Sequence, residues 1–286
     1  MKKILVTGCN GQLGRAINAE YAESKEYELV NTDVAELDIC SVEAVVALAD
    51  KIRPYAIINC AAMTAVDKCE TEKEAAYRIN AIGPRNLAIA AEKFDAKLIH
   101  VSTDYVFAGD GSIPYTEFDT PNPISMYGKS KLAGESFVKE LCRRHFIVRT
   151  AWLYGEGKNF VRTMLALSEK FDEVSVVCDQ VGSPTSAREL AKAIVSLVET
   201  DNYGTFHGTC EGVCSWADFA AEIFRCAKKN TKVKYITSSE YKAMYPESAD
   251  RPAYSVLDNC MFRMTSGYTF KDWKAAFEEY ISDIVE

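Results

Sequence analysis

The stretch that decides the fold reads Lys3-Ile-Leu-Val-Thr7 followed by Gly8-Cys-Asn-Gly-Gln-Leu-Gly14. The first five residues predict a buried strand, and the residues from Gln12 to about Glu23 predict a helix. Glycines at positions 8, 11 and 14 allow a tight turn, a close approach of backbone to a pyrophosphate, and close packing of helix against strand. The helix N-terminus would then face the anion. We therefore predict the nucleotide-binding end of a βαβ unit.

A carboxylate follows the second predicted strand, Glu28–Thr32. Asp33 lies about 20 residues beyond the last glycine, where an acidic side chain binds both ribose hydroxyls of an adenosine. Because this carboxylate would repel a 2′-phosphate, we expect the cofactor to be NADH or NADPH with NADH favoured. Arg15 and Lys25 lie nearby in the sequence and could relax that preference.

Three more apolar runs predict strands of the same sheet, at 56–60, 97–102 and 145–149. In a doubly wound sheet the dinucleotide lies at the carboxyl ends of the parallel strands. We therefore expect an α/β fold with a Rossmann-type doubly wound parallel sheet. A helix is expected from near Ser41 to Arg53. A capping box at Thr71–Glu74 predicts one long helix that reaches Phe94 and is kinked at Pro84.

The second motif is Tyr127-Gly-Lys-Ser-Lys131, which opens a helix after a proline-rich loop. Residues four apart share a helix face, so the ammonium of Lys131 could stabilise the phenolate of Tyr127 and lower its pKa. The same spacing occurs at Tyr21/Lys25 and Tyr154/Lys158, where we predict only solvated side chains. Tyr127 and Lys131 are therefore the candidate catalytic pair.

Thr103 ends the fourth predicted strand and could hydrogen-bond a substrate oxygen at the same sheet edge. The alternative is a threonine that only caps a turn. Trp152, just after the fifth predicted strand, is a candidate wall for the substrate, and its alternative is an ordinary core side chain.

Composition excludes several classes of protein. The chain has 286 residues, 48% of them hydrophobic, and a formal net charge of −8, which argues against a nucleic acid or an anionic membrane as the main partner. No apolar run approaches the roughly 18 residues of a membrane-spanning helix. The ten cysteines show no framework or zinc spacing and suit free thiols in a reducing cytoplasm.

Beyond residue 150 the alternation of strand and helix is interrupted by loops at 155–159, 179–185 and 248–252. We expect residues 1–150 to form a dinucleotide-binding Rossmann domain, to which segments near 186–210 return. Residues 151–286 would mainly form a smaller, interleaved substrate-binding lobe. The interrupting loops are candidate substrate walls.

The chain resembles the extended short-chain dehydrogenase/reductases in its glycine turn, in Thr103 and in the Tyr127/Lys131 pair. More closely, it is similar to the branch of dTDP-4-dehydrorhamnose reductases. The segments specific to that branch are Ser102-Thr-Asp-Tyr-Val-Phe107 and Asp179-Gln-Val-Gly-Ser-Pro-Thr185. The resemblance implies an NAD(P)H-dependent oxidoreductase of dTDP-rhamnose biosynthesis that reduces the 4-keto group of a dTDP-sugar, with Tyr127 as proton donor.

The resemblance also implies roles for individual residues. Thr103, Asp104 and Trp152 would contact the sugar nucleotide. Together with Gly8 and Gly14 of the glycine turn, the residues implied to line the cofactor are Gly11, Gln12, Leu13, Asp33, Asp38, Ile39, Ala61, Ala62, Thr64, Tyr127 and Lys131.

Three alternatives remain open at this point. Some similar proteins form a dimer around a magnesium held partly by an acidic residue of the first helix. Here that neighbourhood reads Gly14-Arg15-Ala16, so a bound magnesium is possible but doubtful, no residue is predicted to be a metal ligand, and a homodimer stays open. The regulatory subunit of methionine adenosyltransferase resembles this family and is a binding protein. An intact set of Thr103, Tyr127 and Lys131 favours catalysis instead.

A dehydratase and a sugar-nucleotide epimerase are the enzymatic alternatives. Dehydratases usually carry an acidic pair after the Ser/Thr, whereas here Tyr105 follows Asp104.

Overall fold

A computed structural model describes residues 1–285 of the chain. Its largest element is a six-stranded sheet, and three two-stranded pairs lie outside it. The strands are β1 (Lys2–Thr7), β2 (Tyr27–Thr32), β3 (Ala56–Asn59), β4 (Lys97–Thr103), β5 (His145–Thr150), β6 (Leu153–Tyr154), β7 (Glu173–Val177), β8 (Val181–Gly182), β9 (Thr185–Ser186), β10 (Gly204–His207), β11 (Cys214–Ser215) and β12 (Lys232–Ile236).

The helices alternate with these strands over the first half of the chain. They are α1 (Gln12–Tyr21), α2 (Val42–Ile52), α3 (Val66–Thr71), α4 (Lys73–Tyr77), α5 (Gly83–Lys93), α6 (Met126–Leu141), α7 (Phe160–Ser168), α8 (Ala187–Val198), α9 (Trp216–Cys226), α10 (Ser238–Met244), α11 (Cys260–Thr265) and α12 (Trp273–Val285).

The central sheet is parallel throughout, with strand order β10-β5-β4-β3-β1-β2. The chain moves outward from β1 to β2 and then returns to place β3 on the other side of β1. A crevice opens at the carboxyl ends of the strands where the direction of winding reverses. This topology places the glycine turn after β1 and the loop after β3 side by side.

Both faces of the sheet are covered, which is why its strands are apolar almost without alternation. Ile4 and Val6 of β1 pack in the cluster formed with α1 and α8, whereas Leu5 packs in the cluster formed with α2, α5 and α6. All three side chains are fully buried. The later segments α8 and β10 therefore belong to the sheet layers, because α8 packs on α1 and β10 pairs with β5. A separate apolar cluster joins α7, β7, α9 and α12.

The predicted capping box at Thr71–Glu74 is wrong. Thr71 ends α3, and its hydroxyl donates to the Lys68 carbonyl at 3.1 Å rather than capping a new helix. The helical path continues through α4, a π-helical turn at Arg78–Ile82, and α5, with Pro84 in the first turn of α5. A π turn commonly marks a functional position, and here it carries the fully buried Asn80.

The prediction that Tyr21 and Tyr154 are solvated is also wrong. Both rings fill apolar clusters, with exposed fractions of 7% and 1%. Their lysine partners in the repeated spacing, Lys25 and Lys158, are exposed, so neither pair meets in a common site.

His100 and His207 are buried in strands β4 and β10. All ten cysteines carry free thiols. Within residues 1–285, no helix combines the length and the apolar character needed to cross a bilayer.

Helix α6 lies unusually close to its neighbours. A Cβ on Gly128 would collide with the carbonyl oxygen of Tyr105, and a Cβ on Gly134 would collide with the carbonyl oxygen of Asn80. Both obstacles are backbone atoms, which cannot swing aside as a flexible side chain can. The two glycines therefore set how near α6 approaches the loop after β4 and the π turn.

Gly134→Ala should destabilise the fold by about 1–3 kcal/mol, because the cost of forcing two backbones apart exceeds the gain of about 1 kcal/mol from better helix propensity. Urea unfolding at equilibrium measures this loss. Ser136→Ala, on an exposed position of the same helix, is the matched control and should stay within about 0.5 kcal/mol. Equal midpoints for Gly134→Ala and the wild type would contradict the close contact.

Candidate active site

Two adjoining cavities form one groove along the carboxyl edge of the sheet, with volumes of about 300 and 650 Å³. Every predicted site residue lines one or both. The smaller cavity is lined by Gly8, Asp33, Asp38, Ile39 and Ala61, and both cavities share Gly11 and Ala62. The larger is lined by Gln12, Leu13, Gly14, Thr64, Thr103, Asp104, Tyr127, Lys131 and Trp152.

The glycine turn is held against the loop that follows β3. Gly8 has a φ of +67°, and a Cβ there would lie 2.7 Å from the Ala61 amide nitrogen. Only glycine meets both conditions. Gly11 caps α1 and offers no side-chain acceptor, so the first amides of the helix are free to bind an anion.

Asp33 points back toward the glycine turn from the end of β2. Its carboxylate accepts the Asn10 amide at 3.1 Å and the Val34 amide at 2.8 Å. The Glu36 carboxylate accepts the Asp33 amide at 2.9 Å, and Asp38 lies on the same cavity wall. The described lining of this cavity contains no lysine or arginine.

Thr103 caps the short 3₁₀ turn Asp104–Val106, since its hydroxyl oxygen accepts the Tyr105 amide at 3.2 Å. The same hydroxyl donates to Asp104 Oδ1 at 2.9 Å. The capping role weighed from sequence is therefore real, and it fixes the side chain inside the groove. Burial raises the pKa of Asp104 to about 6, and its Oδ2 has no hydrogen-bond partner among the described residues.

Tyr127 and Lys131 lie in the first turns of α6, which Ser125 caps by accepting the Gly128 amide at 3.2 Å. The Lys131 ammonium donates to the Val101 carbonyl of β4 at 2.7 Å and is almost fully buried. Burial lowers the pKa of Lys131 to about 8. Burial also raises the pKa of Tyr127, and the Thr103 hydroxyl opposes that rise.

The predicted lowering of the Tyr127 pKa by Lys131 is thus not what this structure displays. Burial removes water from around the phenol, and this destabilises the phenolate more than the neighbouring groups stabilise it. The phenol is protonated near neutral pH, which is the form that donates a proton.

Trp152 is fixed by aromatic stacking. Its ring lies 3.6 Å from the ring of Trp216, centroid to centroid, with planes 12° apart. A Cβ on Gly182 would lie 2.6 Å from Trp152 Cε2, so glycine leaves room for the indole. Trp152 itself has a positive φ of 48°. Trp216 therefore covers one face of the indole, and Trp152 lines the larger cavity.

Two polar residues were missed by the sequence analysis, Asn80 beneath the groove and Thr150 on its wall. Asn80 bonds the Met63 amide and carbonyl at 2.8 and 3.0 Å, and Ser130 of α6 at 3.1 Å, so it ties the loop after β3 to the catalytic helix. Among residues 1–285 the buried Thr150 hydroxyl has no hydrogen-bond partner, and Thr150 lies beside Thr103 in the register of β4 and β5. For Asn80, the sequence did carry a signal, because an asparagine stands there on an otherwise apolar helix face.

Arginines pair with acidic residues at two places, one outside the groove and one on its wall. Glu222 and Glu278, which approach Cys226, both pair with Arg225 at 2.6 and 3.0 Å. Arg15, in the first helix, forms an ion pair with Glu156. We assign no metal to either place.

Comparisons with known proteins match this arrangement. The family model described as the RmlD substrate binding domain matches residues 1–286. A dTDP-4-dehydrorhamnose reductase of Aggregatibacter actinomycetemcomitans is 39% identical, over 97% of this chain and 98% of the relative. The crystal structure of a dTDP-4-dehydrorhamnose reductase from Clostridium acetobutylicum is 51% identical, with a TM-score of 0.96 over 99% of this chain and 100% of that chain.

A second crystal structure, of a dTDP-4-dehydrorhamnose reductase from Bacillus anthracis in complex with NADP, is 43% identical with a TM-score of 0.94 over 99% of this chain and 100% of that chain. The agreement in three dimensions confirms the predicted Rossmann-type α/β fold, and the relatives confirm the resemblance inferred from the motifs. A family match across the whole length, with this degree of identity, places the chain in the RmlD family of dTDP-4-dehydrorhamnose reductases.

Proposed function

We propose that the protein is an NADH-preferring reductase that converts the 4-keto group of dTDP-4-dehydro-L-rhamnose to the alcohol of dTDP-L-rhamnose. One observation supports this most strongly. The glycine turn, Asp33 and the set Thr103, Tyr127 and Lys131 line a single groove at the carboxyl edge of the sheet.

The chemistry needs a hydride on the carbonyl carbon and a proton on its oxygen. When bound, the dinucleotide supplies the hydride. The Tyr127 hydroxyl donates the proton to the sugar C4 oxygen as negative charge develops there. The Thr103 hydroxyl orients that oxygen, and the Lys131 ammonium holds the nicotinamide ribose and stabilises the phenolate that remains.

A non-catalytic binding protein is the competing proposal. Burying the Lys131 ammonium costs stability. A protein that only binds nucleotides gains no catalysis in return, so the buried lysine beside Tyr127 favours an enzyme. Incubation of the pure protein with dTDP-4-keto-6-deoxy sugars and NADH, with identification of the product, separates the two proposals. The free thiols support a reducing, cytoplasmic location, and a homodimer stays a prediction.

The cofactor preference follows from charge. Asp33, Glu36 and Asp38 place three carboxylates at or near the ribose end of the groove, and the described lining there has no cation to balance a phosphate. Arg15, which could relax the preference, lines the adjoining cavity and forms an ion pair with Glu156 there. The relative from Bacillus anthracis was crystallised with NADP, so the preference has to be tested with both cofactors.

Asp33→Ala should lower kcat/KM for NADH by about 10- to 100-fold, because it removes a charged acceptor for the ribose hydroxyls. The value for NADPH should fall less or rise, because a repulsive charge is lost. Steady-state rates with each cofactor test this, with the exposed Glu28→Ala on the same strand as control. An unchanged NADH value with a reduced NADPH value would move Asp33 away from the ribose.

We propose that residues 151–286 supply the main substrate wall, of which Trp152, Trp216 and residues 156–158 line the larger cavity, whereas the loops at 179–185 and 248–252 are not part of its lining. Trp152→Ala should raise KM for the sugar nucleotide roughly 3- to 10-fold, the worth of one aromatic contact, and leave NADH affinity unchanged. The exposed Tyr235→Ala is the control aromatic outside the groove. Unaltered sugar-nucleotide kinetics would leave Trp152 as a packing residue only.

Tyr127→Phe should lower kcat on the order of 10²- to 10⁴-fold, because general acid catalysis by one positioned group is worth that much. The substitution removes one oxygen, so NADH binding measured by fluorescence should persist. Tyr245→Phe, at an exposed tyrosine outside the groove, is the control. Turnover near the wild-type rate would shift the role of proton donor to Asp104.

A further inference from the structure

A buried ion pair lies one helical turn beyond Lys131 on α6. The Glu135 carboxylate accepts Arg149 Nε at 2.9 Å and Arg149 Nη2 at 2.7 Å, and it accepts the Ser102 hydroxyl at 2.6 Å. Glu135, Arg149 and Ser102 are each at most 3% exposed. The proposed mechanism does not use any of the three.

The pair connects the elements that carry the catalytic groups. Tyr127, Lys131 and Glu135 follow one another at intervals of four residues, so they share one face of α6. Ser102 immediately precedes Thr103 on β4, and Arg149 lies one residue before Thr150 on β5. A single carboxylate therefore ties α6 to the carboxyl ends of two strands.

We propose that Glu135, held by Arg149, is a positioning residue of the active site that sets α6 against Thr103 and keeps the Lys131 ammonium charged. This inference rests on the proposed reductase function only where it concerns turnover.

Stability alone does not account for the pair. Buried ion pairs are costly to desolvate, and apolar residues of similar volume often replace them with no loss of stability. Arg149 is further fixed by contact with His207 Nε2 at 3.4 Å and by its position over the Phe107 ring at 5.1 Å. These contacts hold the Arg149 guanidinium in one position, and the guanidinium in turn fixes the orientation of the Glu135 carboxylate.

The charges around Lys131 assign Glu135 its second role. Burial is the main cause that lowers the Lys131 pKa, and the Glu135 carboxylate opposes it from the same helix. Cys60, after β3, and His100, on β4, also face the ammonium, but burial raises the Cys60 pKa to about 12 and lowers that of His100. Both are neutral near pH 7. Glu135 therefore supplies the negative charge that holds the proton on Lys131.

Glu135→Gln keeps the shape of the side chain and removes its charge. Below its pKa of about 8, wild-type Lys131 is an ammonium, and above it the charge is lost, so NADH affinity and kcat should decline on the alkaline side. In Glu135→Gln that decline should move about one pH unit or more toward acid, and kcat near neutrality should fall on the order of 10- to 100-fold. Glu222→Gln, in an ion pair of α9 outside the groove, should leave both pH profiles unchanged.

The double variant Glu135→Gln/Arg149→Met separates a folding defect from the proposed charge effect. It also removes the guanidinium that Glu135→Gln leaves buried and unpaired. Its urea midpoint should exceed that of Glu135→Gln. The alkaline decline should nevertheless stay shifted, because Arg149 is not among the groups that set the Lys131 pKa. A double variant with the wild-type pH profile would overturn the inference, as would a folded Glu135→Gln with unchanged NADH binding at every pH.

The two proposals fail separately. A wild-type protein that reduces no sugar-nucleotide ketone refutes the proposed function, but the pH dependence of NADH binding still tests Glu135. A functional reductase whose NADH affinity has the same pH dependence in wild type and Glu135→Gln keeps its function and refutes the positioning role.

Discussion

The rest of the site depends on the backbone contact between α6 and its two neighbours. Gly128 and Gly134 let the helix touch the carbonyls of Tyr105 and Asn80, where any other residue would push it outward. Tyr127 and Lys131 lie on the same helix as these glycines. The contact therefore also sets how far Tyr127 and Lys131 lie from Thr103. Asn80 extends the constraint, since its side chain also holds the loop after β3. The phosphate end and the catalytic end of the groove are thus placed by one packing arrangement.

Sequence patterns predicted the parts of this arrangement that are local or follow from topology. The strand, glycine turn and helix at residues 3–23 form a continuous signal, and the helix begins at Gln12 as expected. Asp33 could be placed because every parallel strand ends at the same edge of the sheet. Tyr127 and Lys131 needed only the periodicity of one helix. Asp38, Ile39, Thr64 and Asp104 were predicted from the family resemblance instead, and they line the same groove.

Features made by tertiary contact were outside the reach of those patterns. Thr71–Glu74 has the residues of a capping box, but the chain is already helical there and Asn80 must meet Met63, so the local motif is overridden. The stacking of Trp152 on Trp216 joins residues far apart in sequence. Glu135 did carry a signal, because a charged residue on the buried face of a helix needs a partner. Its partner Arg149 could be identified only from the fold.

The protonation of the groove fits one direction of the reaction better than the other. A dehydrogenase that oxidises an alcohol needs a phenolate to accept a proton, whereas a reductase needs a phenol to donate one. Burial raises the Tyr127 pKa and so favours the phenol. Lys131 must then stabilise charge only as the proton leaves, which requires an ammonium in a site that disfavours it. A buried carboxylate four residues further along α6 meets that requirement, so the electrostatics of proton donor, lysine and Glu135 are mutually consistent with reduction.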